Sequence, residues 1–304
     1  MKKFIINCSV YIIIVLVTGN IISFSARYFL GESQFYKSSF LVNAYEKEKQ
    51  FDYFITGSSR GLTTLNSSLI DEKLKLTGVN LSMDDTDLKT QKLMIQHFFN
   101  SGFKAKYCVL TLDDSHFIKT NNELGNNDYR FVAFSGRDYV KDHYRKYEEG
   151  KLKMLFNSKY FPLFSFSYYN LELLIPSVLS AIKPMYRNKY DEKGNYSYPN
   201  SKITHQKESK VAIETKEFEI INPLINDIVS ILEENKCKLI IYVAPYEDLN
   251  YTTSINYENF TLINHSNAIL DQNLFFDRIH VNTRGRTVAT EIFTEDFKNL
   301  LTSK

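Results

Sequence analysis

Two short stretches of this chain carry residues whose types can do covalent chemistry together. One is the run Thr56-Gly57-Ser58-Ser59-Arg60, and the other is Asp277-Arg278-Ile279-His280 near the C-terminus. A serine hydroxyl is a poor nucleophile until a base takes its proton, and a histidine base needs a carboxylate to hold its tautomer. Asp277 and His280, three residues apart on one turn, can both face a serine on a neighbouring strand. Each stretch alone is weak evidence. Gly-Ser-Ser also reads as a simple turn between strand and helix, and Asp-x-x-His also reads as a polar turn capping a helix. The combination discriminates: a serine after the first strand, an acid and a base before the last helix, in the order Ser, Asp, His. A serine on such a turn has its hydroxyl at the carboxyl edge of a sheet, where helix N-terminal amides can stabilise an oxyanion.

The elements that must position these residues alternate strand and helix. FDYFIT, residues 51–56, predicts the first strand, and LNSSLIDEKL a short helix. TGVNLSM, residues 77–83, predicts a second strand, followed by a helix that Thr86 caps and that ends near Asn100 at Gly102. YCVLTLDD, residues 107–114, reads as a third strand. From 115 to about 206 the alternation breaks. That stretch holds many Tyr and Phe residues, a helix around Asn170–Ile182 and a polar loop near 188–201, and it reads as an inserted cap. Alternation resumes with a long helical region over roughly Ser209–Asn235, which Pro223 must start or kink. The strand KLIIYVAPY, a short strand at TLIN (261–264) and a final helix over about 283–301 complete the series. Such alternation implies a mostly parallel five-stranded sheet covered on both faces: a three-layer α/β/α sandwich with strand order 2-1-3-4-5, the flavodoxin-like order. Ligands bind such sheets beyond the carboxyl ends of the strands.

The chain begins differently. Lys2 and Lys3 precede an uncharged run from Phe4 to Ala26 that stops at Arg27, long enough to cross a bilayer as a helix. Lysines before it and no basic cluster immediately after it favour an inside N-terminus, with the rest of the chain exported. A cleavable signal peptide is the rival reading, since Ser23 and Ser25 are small residues at suitable cleavage positions. The expected organisation is an anchor over 1–27, a stalk over 28–50 and a catalytic domain over 51–304, with the cap at about 115–206. With 37 basic and 35 acidic residues the chain has no charge excess to attract nucleic acid. Cys8, Cys108 and Cys237 fit no zinc spacing, so no metal or other cofactor is expected, and the three read as buried free thiols.

FITGSSR resembles the first sequence block of the SGNH/GDSL hydrolases in its Gly-x-Ser form. The run DRIHVNTRGRTVA resembles the last, with Asp277, His280, Asn282, Gly285 and Ala289 in register. VNLSMDD (79–85) and VLTLDD (109–114) stand where the second and third blocks belong. The resemblance covers about residues 50–118 and 237–301, and its final block is the most specific part. It implies Ser59 as nucleophile, His280 as base and Asp277 as the orienting acid. Membrane-anchored relatives are associated with acylating cell-surface polymers, by O-acetylation of polysaccharide or D-alanylation of teichoic acids. The resemblance therefore implies an esterase or O-acyltransferase on the outer side of a bacterial cytoplasmic membrane, acting on a surface glycan or other acyl ester, with a membrane acyl-donor protein as a further partner. Two positions depart from the pattern. Asp85 stands where the family has an oxyanion-hole glycine, and Asp113 where it has an asparagine donor. A carboxylate beside an oxyanion repels it unless protonated, which leaves the hole to backbone amides near Ser59. The competing class is a non-catalytic assembly or binding protein that keeps the fold. Arg60, beside the nucleophile, is a candidate for binding an anionic acceptor, His116 for approaching the site, and Tyr168 and Tyr169 for stacking on sugar rings. The aromatic run 161–170 also reads as cap core or as a membrane-docking face.

Overall fold

The structure, a computed structural model, describes residues 1–201 and 213–302, and these divide into two compact units. One comprises Met1–Glu46 and Asn122–Asn188, and the other Lys47–Asn121 and Lys189–Lys304.

Among its described residues the second unit has seven strands: β1 (Gln50–Gly57), β2 (Gly78–Asn80), β3 (Lys104–Thr111), β4 (Glu214–Glu217), β5 (Lys238–Val243), β6 (Leu249–Thr252) and β7 (Thr261–Asn264). Five form one parallel sheet in the order β2-β1-β3-β5-β7, which is the expected 2-1-3-4-5 order, while β4 and β6 pair separately. Alternate residues of each strand face opposite sides of the sheet. Tyr53 and Ile55 of β1, Val109 of β3 and Tyr242 of β5 bury against Ile70, Phe293 and Phe297 from the helices Ser67–Leu74 and Thr283–Thr302. Phe54 faces the other way and stacks on Phe98 of the helix Leu88–Asn100, with ring centroids 4.2 Å apart. Side chains on both faces of one strand thus hold the three layers together.

Several boundaries differ from the sequence reading. Asp87, not Thr86, caps the helix Leu88–Asn100: its carboxylate accepts from the amides of Lys89 and Thr90. The expected helix over Ser209–Asn235 is a helix only from Pro223 to Glu234. Proline has no N–H to give an earlier turn and suits the first helical position, where Asn222 caps it. Ahead of it, Glu214–Glu217 is the strand β4, and residues 202–206 of the expected cap and 209–212 of the expected helix lie outside the described residues.

The first unit replaces the expected stalk. The N-terminal helix runs from Lys2 to Gly31, a second helix spans Lys37–Ala44, and Ser33 to Leu41 are buried. Tyr36 and Ser38 donate to backbone carbonyls of Glu172 and Arg130, so this stretch packs with the chain at 122–188. Of the residues expected to form the cap, 122–188 belong to this unit, and 115–121 and 189–201 to the other. The helix Lys2–Gly31 is long and apolar enough to cross a membrane, with a mean hydropathy of 2.2 over its most apolar window and none of that window buried.

Candidate active site

β1 ends at Gly57, Ser58 caps the next helix, and Ser59 opens it. The turn lies tight against β3. A Cβ at Gly57 would stand 2.9 Å from the Thr111 carbonyl oxygen, and one at Gly61 would stand 2.6 Å from Ser82 Oγ, so only glycine fits at either place without displacing its neighbours. Ser58 is buried and its hydroxyl accepts from the Arg60 amide, so it is a capping residue. Ser59 is half-buried, and as the first helical residue its N–H has no acceptor within the helix.

Ser59 Oγ lies 2.8 Å from His280 Nε2. On the other side of the ring, His280 Nδ1 lies 2.9 Å from Asp277 Oδ2 and 3.0 Å from Oδ1. Asp277 Oδ1 also accepts the backbone amides of Ile279 and His280, each at 2.9 Å. Burial pushes the Asp277 carboxyl toward its neutral form. The His280 hydrogen bond and those backbone amides outweigh that, holding its pKa below the ordinary carboxylate value. The three groups expected from sequence therefore form one hydrogen-bonded chain, joining residues 221 positions apart.

The residues after His280 hold its loop in place. Asn282 is fully buried, and its side-chain oxygen accepts from the amides of Arg284 and Gly285 at the start of the last helix. Its amide nitrogen donates to the Asn273 carbonyl at 2.8 Å, and its backbone N–H to Leu274 at 2.9 Å. A Cβ on Gly285 would stand 2.0 Å from the Leu274 carbonyl oxygen. Asn282 and Gly285 thus fix the loop that carries Asp277 and His280 onto the helix.

Two residues that the sequence did not single out touch this machinery. Tyr198 packs edge-on to the His280 ring at 5.0 Å and stacks on Phe276 at 4.4 Å. Its backbone carbonyl accepts from Thr283, which pins the loop beside the base. Burial, and then the Asp277 charge, push the Tyr198 hydroxyl up. Nothing in the polar run NYSYPN distinguishes this tyrosine from Tyr196. The second is Tyr246, whose ring lies under the Arg60 guanidinium at 3.5 Å.

Arg60, the candidate for binding an anionic acceptor, is buried beside Ser59. It is 2 % exposed, and its Nη2 donates to the carbonyls of Ala244 at 2.5 Å and Pro245 at 3.1 Å. Its Nη1 faces Asp113 Oδ1 at 3.9 Å. Nη2 is thus held by the chain that follows β5, while Nε and Nη1 are buried with no hydrogen-bond partner among the described residues; Arg60 is a buried clamp on that chain and not the exposed cation that binding an anionic acceptor needs. Asp113 follows β3 with its carboxylate toward that clamp, and Asp85 sits exposed on a left-handed turn (φ 50°) after β2. His116 is half-buried, and its carbonyl accepts from Asn222. Tyr168 and Tyr169 belong to the first unit, where Tyr169 packs on Tyr129 and both line an open cleft of about 850 Å³.

Among the described residues no three His, Cys, Asp or Glu side chains come together to hold a metal ion. Cys108 and Cys237 are free and buried, and burial pushes both thiols up, Cys237 to about 12. Compared with protein-family models and with curated proteins, the chain matches none.

Proposed function

We propose that this chain is a serine-dependent acyl-transfer enzyme of the SGNH type, anchored to a bilayer by its N-terminal helix. The observation that carries the reading is the unbroken relay from Ser59 Oγ through His280 to Asp277, with contacts of 2.8 and 2.9 Å. In this reading Nε2 takes the Ser59 proton as Oγ attacks an acyl ester carbonyl, and Asp277 stabilises the imidazolium that results. The Ser59 amide at the helix start faces the developing oxyanion. Collapse expels the alcohol, protonated by His280, and leaves an acyl-Ser59 ester. A second hydroxyl, deprotonated by the same imidazole, then takes the acyl group. We assign that hydroxyl to a cell-surface glycan and the acyl group to acetyl, on the resemblance to membrane-anchored relatives, with the catalytic unit outside the cytoplasmic membrane.

Burial of Ser23, Ala26 and Leu30 in the first unit favours a retained anchor over a cleaved signal peptide. Cleavage near Ser25 would cut through the helix that these side chains pack.

A fluorophosphonate probe on the full chain tests the chemistry. Labelling is expected on wild type and on Ser58→Ala, and is lost in Ser59→Ala. An unlabelled wild type that binds polysaccharide would instead favour the non-catalytic alternative. The acceptor is tested by NMR of surface polysaccharide from a deletion strain. Loss of O-acyl groups, restored by wild type but not by Ser59→Ala, is the expected outcome, and unchanged acylation refutes the glycan assignment.

A further inference from the structure

The helix Asn170–Ile182 in the first unit leaves most of its aliphatic side chains outward. Its buried positions are Leu173, Pro176, Ser177 and Ser180, while Leu171, Ile175, Val178 and Ile182 are all more than half exposed, with Glu172 exposed near the start of the helix. Ser180 Oγ donates to Ser33 Oγ at 2.9 Å, and Ser177 Oγ to the Leu173 carbonyl, so the polar groups are satisfied within the protein. A helix in water presents the opposite arrangement. Small residues inward and aliphatic side chains outward are what a helix packed within lipid requires.

The neighbouring segment is tied to the membrane-spanning helix at depth. Gly19 leaves room for Leu163, whose side chain would lie 3.1 Å from any Cβ placed there. Asn20, a polar residue inside the apolar run, accepts the Leu163 amide at the start of the helix Pro162–Tyr168. A polar side chain within a span needs such an internal partner. Gly19 stands eight residues before Arg27, or about 12 Å along the helix axis at 1.5 Å per residue. The thirteen residues of Asn170–Ile182 make only about 20 Å, too short to cross a hydrocarbon core of about 30 Å. Phe161 and Met185, at either end of this region, are also more than half exposed.

We infer that the segment from Phe161 to Met185 is embedded in one leaflet of the bilayer, beside the C-terminal half of the spanning helix. The occupant of its apolar face is lipid acyl chain. The inference rests on the reading of the N-terminal helix as a membrane span and deepens it: the first unit is a seat in the membrane, not a tether. A segment that enters one leaflet without crossing holds its unit at a fixed depth and orientation, which a lone helix does not.

The chain contains no tryptophan, so a single introduced Trp reports without background. The full chain is reconstituted in phosphatidylcholine vesicles carrying bromine on the acyl chains, with Trp at one position at a time: Ile175→Trp on the proposed face, Ile13→Trp in the span, and Ile221→Trp on the exposed surface of the second unit. The Ile175→Trp emission is expected to be blue-shifted, to lose most of its intensity in brominated vesicles and to resist aqueous acrylamide, as at Ile13→Trp. The Ile221→Trp emission is expected to respond to acrylamide alone. Lipid quenching at Ile13→Trp but not at Ile175→Trp overturns this inference and leaves the anchor standing. No lipid quenching at Ile13→Trp refutes the anchor as well. An Ile175→Trp signal shielded from both quenchers means that protein covers the face, and this too overturns the inference.

Discussion

Replacing Asp277 by asparagine separates the shape of the acid from its charge. Asp277 Oδ1 receives two backbone amides at 2.9 Å, from Ile279 and His280, so the side-chain oxygen of asparagine must stay there; an NH₂ would face two donors. The amide nitrogen then takes the place of Oδ2, 2.9 Å from His280 Nδ1. Facing a donor, Nδ1 gives up its hydrogen and the imidazole carries it on Nε2. Across the 2.8 Å contact Nε2 now donates to Ser59 Oγ and can no longer accept from it. The same tautomer error in serine proteases costs roughly 10⁴ in kcat, or about 5.5 kcal/mol of transition-state stabilisation at 1.36 kcal/mol per tenfold. The fold keeps its two amide hydrogen bonds, so the melting temperature near neutral pH should move by only a few degrees. The assay is initial-rate hydrolysis of an activated acetyl ester by Asp277→Asn and wild type, paired with thermal unfolding of both. A rate within about tenfold of wild type in a folded variant would refute the relay, since a correctly oriented base without its carboxylate cannot retain that much.

Three further outcomes follow from particular contacts. Gly285→Ala keeps every reacting group, yet its Cβ would meet the Leu274 carbonyl at 2.0 Å; the loop carrying Asp277 and His280 should shift, with a rate loss of about a hundredfold and a stability loss of roughly 1–3 kcal/mol, measured by ester turnover and denaturant unfolding. Arg60→Met leaves two carbonyls and the Asp113 carboxylate without their cation and should destabilise the second unit by about 3 kcal/mol, read as a lower unfolding midpoint. Because the folded Asp277 carboxyl is held below its ordinary value of 3.8, its ionised form contributes stability above that pH and loses it as pH falls through the folded value; wild type and Asp277→Asn should therefore converge in thermal stability as the pH drops below about 4, as melting curves across the acid range would record.

The chain shows how far periodicity reads and where it stops. β1, β5 and β7 were legible because each is a short apolar run cut off by turn residues, and the hydrogen-bonded set Ser59, His280 and Asp277 because a serine follows the first of these runs and an Asp-x-x-His stands just before the last helix. The helix Asn170–Ile182 was also legible as a helix, but its environment was not. Apolar residues three and four apart define a face without saying whether core or lipid meets it. Only the contacts made by Ser177 and Ser180 give its direction. The stalk over 28–50 failed for a related reason. Its polar and aromatic mixture looks solvated, but Tyr36 and Ser38 find carbonyl partners beyond residue 121, a pairing that no local pattern encodes.

Arg60 and Asp113 were each read singly from sequence, one as a cation for an anionic acceptor and the other as a carboxylate where the family has an asparagine donor. The parallel register of β1 and β3 sets Gly57 beside Thr111, so the turns after the two strands are neighbours, and the residues on them face each other. The pairing changes both meanings. A guanidinium buried 3.9 Å from Asp113 sets a positive charge against that carboxylate, and in the proposed mechanism this offsets its repulsion of an oxyanion. It is itself held by the carbonyls that follow β5 and by the Tyr246 ring, so it cannot swing out to a substrate. The departure from the asparagine pattern therefore comes with its own counter-charge, one residue from Ser59. An Asp113→Asn change should be better tolerated in ester turnover than Arg60→Met, because the first removes a charge that the site already neutralises and the second exposes it.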